Sequence, residues 1–184
     1  MRSNSIAHRR SAVCVILLAW GGVAIALMTQ HLLDMQPCPW CILQRIGYLL
    51  CGALALLALL LPVRHGGSRL LVGCLFLLIG LSALATLGTA LYQHWVAAAT
   101  DSCAITAADK FLISSGLSMW LPEVFQPTAS CAEANADLLG IPYALWSAAL
   151  ATMLFCLSYI GLKQLKHQHP APARSSGAGP IRPH

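Results

Sequence analysis

Charge is the scarcest property of this chain: of 184 residues only 9% are charged, whereas 58% are apolar. A soluble domain carries about 25% charged and about 45 to 50% apolar residues. A mean hydropathy of +0.70 also lies outside the soluble range. The deficit excludes a water-soluble monomer, because the apolar surplus must face something other than water, and lipid is the natural candidate. Acids are scarcer still, six against eleven bases, for a formal net charge of +5. That excess does not point to nucleic acid, since bases dispersed over so apolar a chain build no basic face. No internal repeat is visible.

What the chain does have is long apolar runs. A membrane-spanning helix needs about 20 mostly apolar residues, and the sequence predicts four, at about 12–33, 42–62, 70–92 and 143–162. The first resembles a signal peptide, with Arg9 and Arg10 before it and Ala24-Ile25-Ala26 imitating a cleavage site. A secretory core is only about 7 to 15 residues long, however, and this run continues from Ala12 past Met28, so an uncleaved anchor is expected.

The charges then sort by side. Arg2, Arg9 and Arg10 precede the first span, Arg64 and Arg69 join the second to the third, and Lys163, Lys166, Arg174 and Arg182 follow the fourth. All six acids fall in the two opposite loops, about 34–41 and 93–142, with only Arg45 and Lys110 as basic company. The positive-inside rule makes both termini cytoplasmic and both of these loops periplasmic in a bacterial inner membrane. The expected organisation is a cytoplasmic N-terminus (1–11), a four-span all-α membrane domain (12–162) and a disordered cytoplasmic tail (163–184). In the long loop Leu117, Trp120, Leu121, Val124 and Phe125 recur at helical spacing. They fit either a helix lying on the membrane interface or a loop core packed on its own residues.

Eight cysteines divide evenly. Cys14, Cys51, Cys74 and Cys156 lie in apolar spans, where a thiol packs as a small hydrophobe. Cys38, Cys41, Cys103 and Cys131 fall in the acidic-side loops, an even number in an oxidising compartment, so two disulfides are the first inference. Cys38-Pro39-Trp40-Cys41 has the spacing of an exchangeable dithiol. A structural disulfide and a zinc site with the two further thiols are the rivals, and oxidation opposes the zinc. Placement favours redox work, because Cys41 sits in the first turn of the second span, where free backbone N–H groups and the helix dipole favour a thiolate.

Arg45 follows Cys41 at i+4, on the same helical face. Arg45 either snorkels to headgroups or supports the Cys41 sulfur while presenting donors to a carbonyl oxygen, as a membrane quinone would offer. His94, at the end of the third span, is a second candidate donor. His167 and His169 sit in a tail too flexible to hold a metal, so none is expected.

Taken in order, Gln30-His31, Pro37-Cys38, Cys41, Gln44-Arg45, Gln93-His94, Cys103, Leu121-Pro122-Glu123-Val124-Phe125, Cys131-Ala132-Glu133 and Leu139-Gly140-Ile141-Pro142 resemble the DsbB family of bacterial disulfide bond formation proteins. The resemblance spans about 12–162 and departs at Ala134-Asn135-Ala136, where the family often has an aromatic residue. It implies a quinone-dependent thiol-disulfide oxidoreductase that reoxidises DsbA, a periplasmic thioredoxin-fold protein, and passes two electrons to ubiquinone or menaquinone. It implies catalytic roles for Cys38, Cys41, Cys103 and Cys131. The partner would attack a Cys103–Cys131 disulfide at Cys103, and the freed Cys131 would open the Cys38–Cys41 pair at Cys38. Cys41, Arg45 and His94 would then meet the quinone. Two alternatives stand beside it: a vitamin K epoxide reductase-like enzyme, disfavoured by the C-x-x-C position, and a non-enzymatic scaffold or transporter with structural loop disulfides.

Overall fold

The computed structural model describes residues 3–63, 66–97, 106–131 and 137–166. Among these, four helices are long and apolar enough to cross a membrane: α1 (Ser3–Leu32), α2 (Pro39–Leu60), α3 (Gly66–Trp95) and α7 (Tyr143–Lys166). The chain is an all-α four-helix membrane protein. Each long helix packs against two others, so the bundle closes as a ring in the order α1, α2, α3, α7. Its interior is lined by Ala12, Val15, Ala19, Ala55, Phe76, Ile79, Ala83, Ala151 and Leu154, while Leu17, Met28, Leu57, Leu60, Leu70, Leu77 and Leu81 remain exposed. Leucines facing outward over an interior rich in alanine are an arrangement that lipid permits, since helices in a membrane gain from close backbone approach. Gly47 lets α2 meet Thr86 of α3, and Gly161 of α7 gives its space to the Phe76 ring; a Cβ at either position would collide.

Helix boundaries differ from the hydropathy limits because a helix does not stop where hydrocarbon would. α1 begins at Ser3, upstream of the expected span, and α7 runs to Lys166. Lys163 and Lys166, expected in a disordered tail, instead close the last turn of α7, where cations complement the helix dipole. The remainder of that tail, residues 167–184, lies outside the described residues.

Between α3 and α7 the chain forms α4 (Ala107–Ser115), α5 (Leu117–Trp120) and α6 (Pro122–Phe125), then a short hairpin, β1 (Asp137–Leu138) with β2 (Ile141–Pro142). Thr106 starts α4 through a capping box: its hydroxyl accepts from the Asp109 N–H at 3.2 Å, and its own N–H donates to the Asp109 carboxylate at 2.9 Å. Gly116, at φ 65°, ends α4 in the left-handed region.

The two readings of the apolar stretch are divided by this arrangement. Leu112 and Phe125 bury against Ile42 of α2, with Leu117 and Val124 packed beside them, while Trp120 (87% exposed) and Met119 (87%) project outward with Leu121 and Ile113. One face of the loop thus caps the bundle, and the other carries a bare apolar surface.

Candidate functional site

The site is built on the N-terminus of α2. Cys38 is the N-cap residue, with extended backbone, and Pro39 occupies the first helical position, where a missing N–H costs nothing. The first turn brings Cys41 back beneath the cap: the two sulfurs lie 3.2 Å apart as free thiols, and the Cys41 N–H donates to the Cys38 sulfur at 3.4 Å. The paired disulfide expected from the C-x-x-C spacing is thus present as a dithiol.

A third thiol joins them. The 126–131 segment is tied down by the Thr128 and Ala129 N–H groups, which both donate to the Pro37 carbonyl at 3.0 and 3.3 Å, and by the Thr128 hydroxyl, which donates to the Gln36 side-chain oxygen at 2.6 Å. This anchoring delivers Cys131 to Cys38, with which it shares a hydrogen bond, and to the Trp40 backbone N–H. Hydrogen bonding to Cys131, then to Cys41, together with full burial, pushes the Cys38 thiol far above its ordinary range. The same bond with Cys38 holds Cys131 below its ordinary value, against the opposing effect of its own burial. Within the pair Cys38 is thus the more tightly protonated thiol, and Cys131 the one more readily ionised. Cys103 lies outside the described residues, and Cys131, whose resemblance-based partner it was, is a free thiol against Cys38.

On the other side of Cys41 a cavity of about 240 Å³ opens between α1, α2 and α7. Val23, Ala26 and Thr29 line it from α1, Cys41, Gln44, Arg45 and Tyr48 from α2, and Tyr143, Trp146, Ser147 and Leu150 from α7. The Tyr48 hydroxyl donates to the Ser147 carbonyl at 2.8 Å and meets the Ser147 hydroxyl at 2.5 Å. Arg45, only 5% exposed, reaches out of α2 to donate to the Val124 carbonyl of α6 at 3.1 Å. It bridges the cavity wall and the docked loop, and its charge also bears on Cys41.

The profile of a protein family described as "Disulfide bond formation protein DsbB" matches residues 8–161. The chain belongs to the DsbB family. Among curated relatives, "Disulfide bond formation protein B" of Ralstonia nicotianae is 31% identical over 147 residues, covering 80% of this chain and 87% of the relative. The protein of the same name from Aromatoleum aromaticum is 32% identical over 157 residues, 83% of this chain and 89% of its own length. No solved structure matches significantly. As a DsbB-family member the chain is a disulfide bond formation protein, and its name class is that of a thiol-disulfide oxidoreductase.

Of the residues singled out from sequence, Cys38, Cys41 and Cys131 converge, and Arg45 shares the cavity with Cys41. His94 does not line that cavity: its ring lies 6.0 Å from Trp95, and its buried Nδ1 has no hydrogen-bond partner among the described residues. Its neighbour Gln93 is the one that faces the site, donating from Nε2 to the Cys41 sulfur at 3.1 Å. The sequence reading also passed over Tyr48, Tyr143 and Ser147. Tyr48 was within reach of it, because positions 41, 45 and 48 form one helical face.

Proposed function

We propose that this chain is a membrane protein-dithiol:quinone oxidoreductase that reoxidises a DsbA-like periplasmic thioredoxin-fold protein and passes two electrons to ubiquinone or menaquinone. In this reading it crosses a bacterial inner membrane four times, with both termini cytoplasmic, as the distribution of bases indicates, and with all four loop cysteines periplasmic. The observation that carries it is the meeting of thiols from two loops at one helix N-terminus, with Cys41 opening onto an apolar cavity beside Arg45.

The cavity fits a quinone head. Apolar walls from Val23, Trp146 and Leu150 suit the ring and its tail, and the hydroxyls of Tyr48, Tyr143 and Ser147 with the Arg45 guanidinium suit carbonyl oxygens. Bound there, a quinone would supply the two-electron acceptor that reoxidation of so oxidising a partner, at about −120 mV, requires. The chain's own groups account for the exchange steps. The partner's thiolate attacks Cys103 of a Cys103–Cys131 disulfide, and the electron pair leaves on Cys131. Cys131, whose ionisation the Cys38 bond and the Trp40 N–H favour, lies where it can attack Cys38. A Cys131–Cys38 bond forms, the Cys38–Cys41 bond breaks, and the electron pair falls on Cys41, nearest the cavity. The cavity's hydroxyls and Arg45 orient the acceptor, and the docked loop shields the sulfurs from water.

Purified full-length protein, kept anaerobic with a reduced dithiol partner and ubiquinone or menaquinone analogues, should consume quinone absorbance, and Cys41→Ser should abolish the consumption. An unchanged rate in that variant would leave a scaffold with structural loop thiols as the better description.

A further inference from the structure

Two buried amides have no part in these exchange steps. Gln44 of α2 is 4% exposed and Gln93 of α3 is 2% exposed, in a bundle whose buried side chains are mostly apolar. Burying an amide in such surroundings is unfavourable unless its hydrogen bonds are made. Gln44 donates from Nε2 to the Gln93 side-chain oxygen at 2.7 Å, and Gln93 donates from its own Nε2 to the Cys41 sulfur at 3.1 Å. A pair of glutamines serving only to tie α2 to α3 would satisfy one another reciprocally. Here the second arm of Gln93 is directed at a sulfur, a weak acceptor as thiol or disulfide and a strong one as thiolate.

With Gln44 presenting its NH₂, the relay has one direction. Were the Gln93 amide reversed, its NH₂ would face the Gln44 NH₂, donor against donor, and its oxygen would face the sulfur, repelling a thiolate. Gln44 therefore sets which end of Gln93 meets Cys41, and it acts through Gln93.

We propose that Gln93, oriented by Gln44, is a positioning residue that makes Cys41 the sulfur on which the electron pair is left when the Cys38–Cys41 bond opens. The inference rests on the function proposed above and deepens it. In thiol-disulfide exchange the better-stabilised thiolate leaves faster, and so it decides which sulfur is attacked. When Cys131 attacks Cys38, the Cys131–Cys38 bond forms, the Cys38–Cys41 bond breaks, and the electron pair comes to rest on the Cys41 sulfur, where the Gln93 N–H meets it. No comparable side-chain amide faces Cys38 among the described contacts; its neighbours are Cys131, Cys41 and the Cys41 backbone N–H. The asymmetry suits delivery of electrons into the cavity, because Cys41 lines it and Cys38 does not.

The test uses full-length protein free of quinone, with Cys103→Ser and Cys131→Ser leaving one loop pair, equilibrated in a dithiothreitol buffer at fixed, mildly alkaline pH. The fraction of Cys38–Cys41 disulfide is read by differential alkylation and peptide mass. Gln93→Met removes the donor at similar volume. Gln44→Glu keeps Gln93 but offers it only an acceptor, drawing its Nε2 away from the sulfur. A hydrogen bond to an ionised group shifts an equilibrium about tenfold or more, so each variant should move the pair about tenfold toward the disulfide. Ratios within twofold of the parent in both variants would overturn the inference while leaving the proposed function intact. A shift in Gln93→Met alone would refute the orienting role of Gln44. A parent pair that never forms a disulfide in any buffer would sink the underlying function and the inference with it.

Discussion

Replacing Arg45 by methionine separates what this residue does for the loop from anything it does for a cofactor. Its guanidinium, 5% exposed, donates to the Val124 carbonyl at 3.1 Å. A hydrogen bond from an ionised donor in such a setting contributes about 1.5 to 3 kcal/mol. Leu112 and Phe125 stay packed on Ile42 in the variant, and each buried apolar side chain of this size contributes about as much again. The loop should therefore loosen without detaching. Its opening equilibrium should rise at least about tenfold, the lower end of that range being about one factor of ten. Hydrogen exchange reads this directly, because the Thr128 and Ala129 N–H groups are held by the Pro37 carbonyl and exchange when the segment lifts. In quinone-free protein the peptide covering 126–131 should lose about tenfold in protection. Global stability should hold or rise, since a desolvated cation has been replaced by an apolar side chain. Protection within twofold of the parent would refute the idea that Arg45 holds the loop.

Two further outcomes follow from contacts outside the cavity. Because Cys131 lies below its ordinary thiol value when docked, its contribution to docking is present above that value and is lost as pH falls through the lowered one; Cys38, raised, contributes below its ordinary value and loses this as pH climbs. Alkylation followed by mass mapping should find Cys131 reactive below the usual thiol range of about 8.5 and Cys38 inert, with Cys131→Ser making Cys38 reactive at lower pH than before; matching profiles for the two thiols would contradict the assignment. Gly47→Ala should lower the thermal midpoint, because the new Cβ meets the Thr86 hydroxyl, and overpacking costs about 1 to 3 kcal/mol. Adding Thr86→Ala should restore most of that loss, and a single variant as stable as the parent would show that α2 and α3 are not in such close contact.

The spans, the C-x-x-C pair and the i+4 arginine were legible because each is a local property: a run length, a motif, a helical spacing. What stayed hidden depends on which faces meet. Successive residues of a helix point about 100° apart, so of the Gln93-His94 dipeptide one residue bonds Cys41 and the other does not line the cavity, and nothing in the sequence says which. Chemistry favoured the imidazole; packing of α3 on α2 chose the amide. The apolar stretch of the loop was undecidable for a similar reason. Its periodicity is compatible with lying on lipid or packing on protein, and only the position of Ile42 assigns Phe125 to the protein and leaves Trp120 outside.

The chain's shortage of charge and polarity supplies a way to recover part of what periodicity misses. Among the described residues the buried polar side chains are His8, Ser11, Gln44, Arg45, Thr86, Gln93, Ser147 and Ser158. In a soluble core such a set would be unremarked, but in a bundle facing lipid each has to be matched by a partner or a function. Ser158 bonds to a carbonyl one turn back on its own helix, Thr86 does the same, and Ser11 reaches Gln164 between α1 and α7. These need no further explanation. Gln44, Arg45, Gln93 and Ser147 instead direct their polar atoms at Cys41, at the docked loop or at the cavity-lining Tyr48. Gln44, Arg45, Gln93 and Ser147 gather within one patch around the N-terminal half of α2. In a chain with so little polarity to place, that clustering points to the same site as the cysteines, and it does so through Gln93, which the motif named without giving it a role.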